Sequence, residues 1–140
     1  MWNIADCAEH IAISEKNLFD WAMSTLKEPA NAARRSELKA DNESVKKMIT
    51  DRSFMVKTSE TFKPTGQFVN AEGSHKAFNE RRTALINYMK HSQDDLRNHC
   101  VTTPVGLLDT HQLLIFLSDH TKRHTLQIAA VKALPGFAGR

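Results

Sequence analysis

The sequence predicts an all-α protein: a helix bundle of three long helices and one short one, with one long crossover. Three observations carry this. Glycine (5) and proline (4) are scarce in 140 residues, which disfavours a turn-rich sandwich or barrel. Apolar residues recur at helical spacing along three stretches that contain neither Gly nor Pro. The Gly and Pro that do occur fall between or just beyond those stretches, where helices stop. Hydrophobic residues make up 41% and charged residues 25%. That is the profile of a globular chain, not a disordered one, and residues 1–140 read as one domain.

The first helix is expected over Asn3–Lys27, with Ile4, Ala8, Ile11, Leu18, Ala22 and Leu26 on one stripe. Glu28-Pro29 stops it. A short helix is expected over Asn42–Asp51, capped by Asp41 or Asn42. Ser53–Ser74, with Lys63-Pro64-Thr65-Gly66, reads as irregular chain. Ser74 then caps a second long helix over His75–His99, with Phe78, Leu85, Ile86, Met89 and Leu96 as its stripe. Thr102–Gly106 is a break, and the last helix runs Leu107–Ala133, before Pro135-Gly136. No segment reads as a strand. Roughly 45 residues separate the first two long helices, whereas antiparallel neighbours are joined by about two to eight. The long crossover lets them run parallel. The last helix, after a short loop, then runs antiparallel to the second.

Several classes fall away. The longest apolar run, Leu113–Leu117, is far short of the roughly 20 residues a membrane-spanning helix needs. The start, Met1 to Asp6, has no basic region and no apolar signal core. Two cysteines, Cys7 and Cys100, do not make a disulfide framework, and the reduced cytoplasm is the expected compartment. Net charge is +3, but the basic pairs Arg34/Arg35, Lys46/Lys47, Arg81/Arg82 and Lys122/Arg123 are dispersed among acidic residues. A solvated surface is expected, with no nucleic-acid partner.

Seven histidines stand in the chain. His120 and His124 are four apart, so they share one face of the last helix and can reach one metal ion. Their face is the apolar stripe of Leu113, Leu117, Ile128 and Val131. His10 lies roughly 10 Å into the first helix, and His124 roughly 14 Å from the end of the last. In an antiparallel pair the two stand level within about one turn. Three histidines with open positions form a metal site accessible to water or substrate. The first-helix face of Asn3, Cys7, His10, Ser14 and Asn17 is small and polar, like a cleft wall. On spacing alone the commoner reading is that His120 and His124 are buried, hydrogen-bonded imidazoles, because an i,i+4 pair arises easily in a histidine-rich helix. His120-Thr121-Lys122-Arg123-His124 lacks the glutamate of a His-Glu-x-x-His protease.

Longer motifs add a resemblance. Trp2-Asn3-Ile4-Ala5-Asp6-Cys7-Ala8-Glu9-His10-Ile11 resembles the W-S-x-x-E-x-x-x-H-[LIV] entry of the DinB-like family of bacterial four-helix-bundle proteins. Thr103-Pro104-Val105-Gly106 followed by His120–Ile128 resembles that family's P-x-G … H-x-x-R-H-x-x-Q-[IL] block. Pro64-Thr65-Gly66, Arg81-Arg82 and Asp95-Leu96-Arg97 are compatible with a subgroup. The resemblance implies a divalent metal, zinc or nickel, on His10, His120 and His124. It also implies a small-molecule or low-molecular-weight thiol substrate, such as bacillithiol or mycothiol, for the members that are transferases. Family members carry a further long helix before the tryptophan at which this chain begins. Without it a groove would stand open, so a homodimer is expected, the alternatives being a start codon placed late or the short helix near Val45 moving in.

The remaining candidates have plainer readings. Cys7 is expected as a buried apolar filler, with a fourth metal ligand or a redox-sensitive thiol as the alternatives. His111 is expected as a satisfied helix histidine, and His75, His91 and His99 as surface residues. Trp2 and Trp21 read as core or groove anchors. Arg123 reads as solvent-facing, with steering of an anionic thiol substrate as the alternative. Asp119 and Glu9 are the candidates to orient a ligand histidine from behind. Two functions compete. One is a metal-dependent thiol S-transferase or hydrolase, in which the metal makes a nucleophile near neutral pH and no separate general base is named. The other is a stress-related interaction or dimerisation module whose metal site is structural or vestigial.

Overall fold

The computed structural model describes residues 2–53 and 57–137. Helix α1 spans Ile4–Lys27. Asn3 accepts from the Asp6 backbone N–H, and the Asp6 side chain accepts in return from Asn3, so two of the donors exposed at the helix start are satisfied. A 3-10 turn follows over Ala32–Glu37. Helix α2, Asn42–Thr50, is capped by Asp41. A second 3-10 turn covers Glu60–Phe62. Helix α3 is Ala71–His91, strands β1 and β2 are Cys100–Thr103 and Gly106–Asp109, and helix α4 is Thr110–Lys132. The protein is mostly helical, as the all-α reading requires.

Two boundaries differ from the sequence reading. α3 starts at Ala71, because Asn70 and not Ser74 accepts the first-turn N–H, that of Gly73. It ends at His91, so Leu96 and His99 lie on the following loop. The break before α4 is an antiparallel hairpin, with Thr103 paired to Gly106 around Pro104-Val105. Gly106 takes a positive φ of 113°, which a β-carbon would oppose. Leu107 and Leu108 belong to β2, and α4 begins only where Asp109 and Gln112 form a reciprocal capping box.

α1 is packed between α3 and α4, and α2 lies on the other side of α4. Glu15 meets Arg82 and Phe19 meets Tyr88, so residue numbers rise together and α1 runs parallel to α3. His10 meets His120 and His124, while Leu18 and Ala22 share a core with Leu113 and Leu117. α4 is therefore antiparallel to α1, as the long crossover implied. That core gathers Leu18, Ala22, Leu85, Leu113, Leu114 and Leu117. Leu96 joins it from the loop rather than from a helix. A second, smaller core joins Val45 and Ile49 of α2 to Leu108 of β2. Among the described residues, no helix is long and apolar enough to cross a membrane.

Two side chains tie distant segments together. Gln112 donates to the Ala40 carbonyl (2.7 Å), and Arg97 donates to the buried Asp109 carboxylate (3.1 Å). Gly73 allows a close approach: a β-carbon there would lie 2.3 Å from the Phe68 carbonyl oxygen. Gly73→Ala should therefore cost about 1–3 kcal/mol, despite alanine's better helix propensity. Urea unfolding checks this; an unchanged or raised midpoint contradicts the packing.

Candidate metal centre

His10 projects from the second turn of α1, and His120 and His124 from the middle of α4. Antiparallel packing brings their Nε2 atoms into a nearly equilateral triangle. The edges are 3.2 Å (His10–His120), 3.1 Å (His10–His124) and 3.2 Å (His120–His124). His10 is almost fully buried, and the other two are half-buried. Among the described residues no cysteine or carboxylate joins the three. Cys7 is wholly buried, and burial pushes its thiol up, as expected of an inert filler.

The outer nitrogens show how the rings are held. His10 Nδ1 lies 2.7 Å from the Phe62 carbonyl oxygen, which can only accept. His10 therefore carries its proton on Nδ1, and Nε2 presents a bare lone pair. His124 Nδ1 lies 2.8 Å from Gln127 Oε1 and donates to it in the same way. Two lone pairs thus face each other at 3.1 Å. Nitrogens that bind one zinc ion tetrahedrally at about 2.0–2.1 Å are themselves about 3.3 Å apart, so the triangle suits a cation of that class. Aromatic rings wall the site: Trp2 lies 4.7 Å from the His10 ring, and Phe116 stacks on His120 at 6.0 Å.

Burial keeps all three imidazoles neutral. It lowers His10 below the ordinary value, partly offset by the Phe62 carbonyl. His120 is pushed down to about 2, by burial first, then by His124, His10 and Arg123. His124 is pushed down to about 4, by burial first and then by His10. Neutral imidazole is the form that ligates metal. The same shifts fix an acid sensitivity. Unfolded imidazoles titrate near 6.5, so below that pH the unfolded chain binds more protons than the folded one. The stability these histidines contribute is complete above 6.5. It is lost progressively as pH falls, toward about 4 for His124 and about 2 for His120. Metal-free protein should melt at steadily lower temperature from pH 7 to pH 4; a flat profile across that window contradicts the buried neutral triad.

A family model described as the DinB superfamily matches residues 1–128. The chain belongs to the DinB superfamily. No curated protein and no solved structure matches it significantly. The family match covers all three histidines and the α1–α4 pairing that joins them.

In this DinB-superfamily chain several side chains take roles other than those the sequence suggests. Neither Asp119 nor Glu9 touches a ligand histidine. One Asp119 carboxylate oxygen is buried without a partner, and Glu9 binds the loop after Phe62. The orienting partners are Gln127 and a backbone carbonyl. Gln127 was legible as a polar residue three after His124 on the same face; the Phe62 carbonyl carries no sequence signal. Arg123 does not face solvent. It donates to the Ile49 and Asp51 carbonyls and closes the C-terminal end of α2. His111 is not satisfied: its Nδ1 is buried without a partner. His75 and His91 are exposed, whereas His99 is half-buried and bonds the Asp95 carbonyl. Trp21 packs against the main core, and Trp2 covers the histidines.

Proposed function

We propose that this DinB-superfamily protein binds one divalent metal ion through His10, His120 and His124. The observation that carries the reading is the pair of lone pairs at 3.1 Å, each ring fixed by a hydrogen bond at its far nitrogen. Such a pair is repulsive unless a cation lies between them. Zinc and nickel are the ions that the DinB resemblance implies; imidazole ligands are compatible with both, as they are with copper and iron. A bound ion of this kind lowers the pKa of a coordinated water or thiol and supplies a nucleophile near neutral pH. The chain's own part is to hold and exclude. Phe62 and Gln127 hold two imidazole protons on Nδ1, and Trp2 and Phe116 keep apolar surface against the rings.

The activity this supports is transfer of a low-molecular-weight thiol, or hydrolysis, on a small molecule in the cytoplasm. The second reading is an interaction module, working as a homodimer, with a metal site that only stabilises the fold. Exposed Ile86 and Met89, three apart on α3, favour it. Plasma mass spectrometry of the purified protein tests the metal, and a panel of thiol-transfer and ester-hydrolysis reactions tests the chemistry. About one equivalent of zinc or nickel per chain is expected. A folded protein that arrives empty and takes up neither ion overturns the proposal. A loaded protein inert across the panel leaves the second reading.

A further inference from the structure

Glu9 is nearly fully buried, yet no cation pairs with it among the described residues. Its carboxylate is instead wrapped by main chain. Oε1 accepts from the backbone N–H of Thr65 (2.8 Å) and of Gln67 (3.1 Å), and Oε2 from that of Gly66 (3.0 Å). The Thr65 hydroxyl adds a longer contact at 3.4 Å. Three converging N–H donors make a local anion site, and they offset the cost of burying the charge. Burial alone would raise this carboxyl; the Thr65, Gln67 and Gly66 donors outweigh it, and the net effect is a lowering.

The loop so held begins at Phe62, whose carbonyl accepts the His10 proton. Asn17 ties the same loop to α1 one residue earlier, donating to the Thr61 carbonyl at 2.9 Å. Loop and helix are thus joined at three successive heights: Asn17 to Thr61, His10 to Phe62, and Glu9 to Thr65–Gln67. The sequence places the two roles side by side, with Glu9 preceding His10. One residue anchors the loop; the next depends on it.

We propose that Glu9 is a positioning residue for the metal centre, acting through the Phe62–Gln67 loop to hold the proton of His10 on Nδ1 and its Nε2 lone pair toward His120 and His124. This rests on the metal reading above, but its first readout does not need a metal. Glu9→Gln is close to isosteric and turns one acceptor oxygen into a donor facing backbone N–H groups. Long-range proton–nitrogen correlation spectra of 15N-labelled, metal-free protein at pH 8 report which ring nitrogen carries the proton, with the His10 signals assigned by their loss in His10→Asn.

In the wild type His10 is expected as the Nδ1–H tautomer. In Glu9→Gln it is expected as a mixture with Nε2–H, and zinc affinity falls about 10- to 100-fold, the usual effect of losing an outer-shell partner. An unchanged His10 tautomer overturns the proposal, whatever happens to zinc. A shifted tautomer in a protein that binds no zinc supports the role of Glu9 and removes only the metal reading. If Glu9→Gln does not fold, Glu9→Asp applies the same decision with a milder lesion, keeping the charge and shortening its reach.

Discussion

Replacing His120 and His124 together by alanine is expected to empty the metal centre while the helices persist. Metal content should fall from about one equivalent per chain to about a tenth or less, because a single remaining imidazole cannot hold an ion against water. The helices survive because the main core of Leu18, Ala22, Leu85, Leu113, Leu114 and Leu117 contains neither histidine. The substitutions also remove nitrogens that crowd one another at 3.2 Å. A thermal readout separates binding from folding. With zinc at about one hundred times its dissociation constant, the wild type should gain about 2.7 kcal/mol. The double variant should gain nothing. Metal retained at wild-type stoichiometry in a folded double variant would place the ion elsewhere and sink the triad.

The second large effect concerns Glu15 and Arg82. Glu15 on α1 is 1% exposed and accepts a two-pronged contact from Arg82 on α3, at 2.5 and 2.9 Å. Arg82 also reaches Thr121 on α4 (3.2 Å), and its guanidinium lies 5.0 Å from the centre of the Phe78 ring. This one cation joins all three long helices. Arg82→Met should destabilise by about 3–5 kcal/mol, because it leaves a buried carboxylate without its partner. The pair itself is worth much less than that. Glu15→Leu combined with Arg82→Met should recover most of the loss, since neither charge then remains inside. Urea unfolding of the two single variants and the double gives the cycle. A loss of under about 1 kcal/mol for Arg82→Met would mean that water reaches Glu15 and the contact is a surface one.

The helical periodicity of α1 and α4 was plain in the sequence, because a 3.6-residue stripe is written locally. The length of the crossover carried orientation as well: too long for a tight antiparallel turn, it let α1 and α3 run parallel and set α4 against α1. That orientation and helical rise put His10 level with His120 and His124, while the choice of a metal site over hydrogen-bonded imidazoles rested on the family resemblance. The hairpin did not follow. Its strands are four residues each, below the length at which alternation shows, and Leu107-Leu108 continued the apolar pattern of the next helix. Asp109 and Gln112, three apart, were the legible mark of where α4 truly begins.

What the sequence determined by itself is thus the set of elements with strong local signals, the polarity of the helices, and the three residues that meet. What only the tertiary structure decided is how those residues are held. The Phe62 carbonyl is main chain, identical in chemistry at every position, so no residue type announces it. Glu9 looked like a partner for a histidine and is an anchor for a loop; Arg123 looked like a surface charge and closes α2. Each role is set by which distant main-chain groups pack against the side chain. That is a property of the folded arrangement, not of any neighbouring residues in the chain.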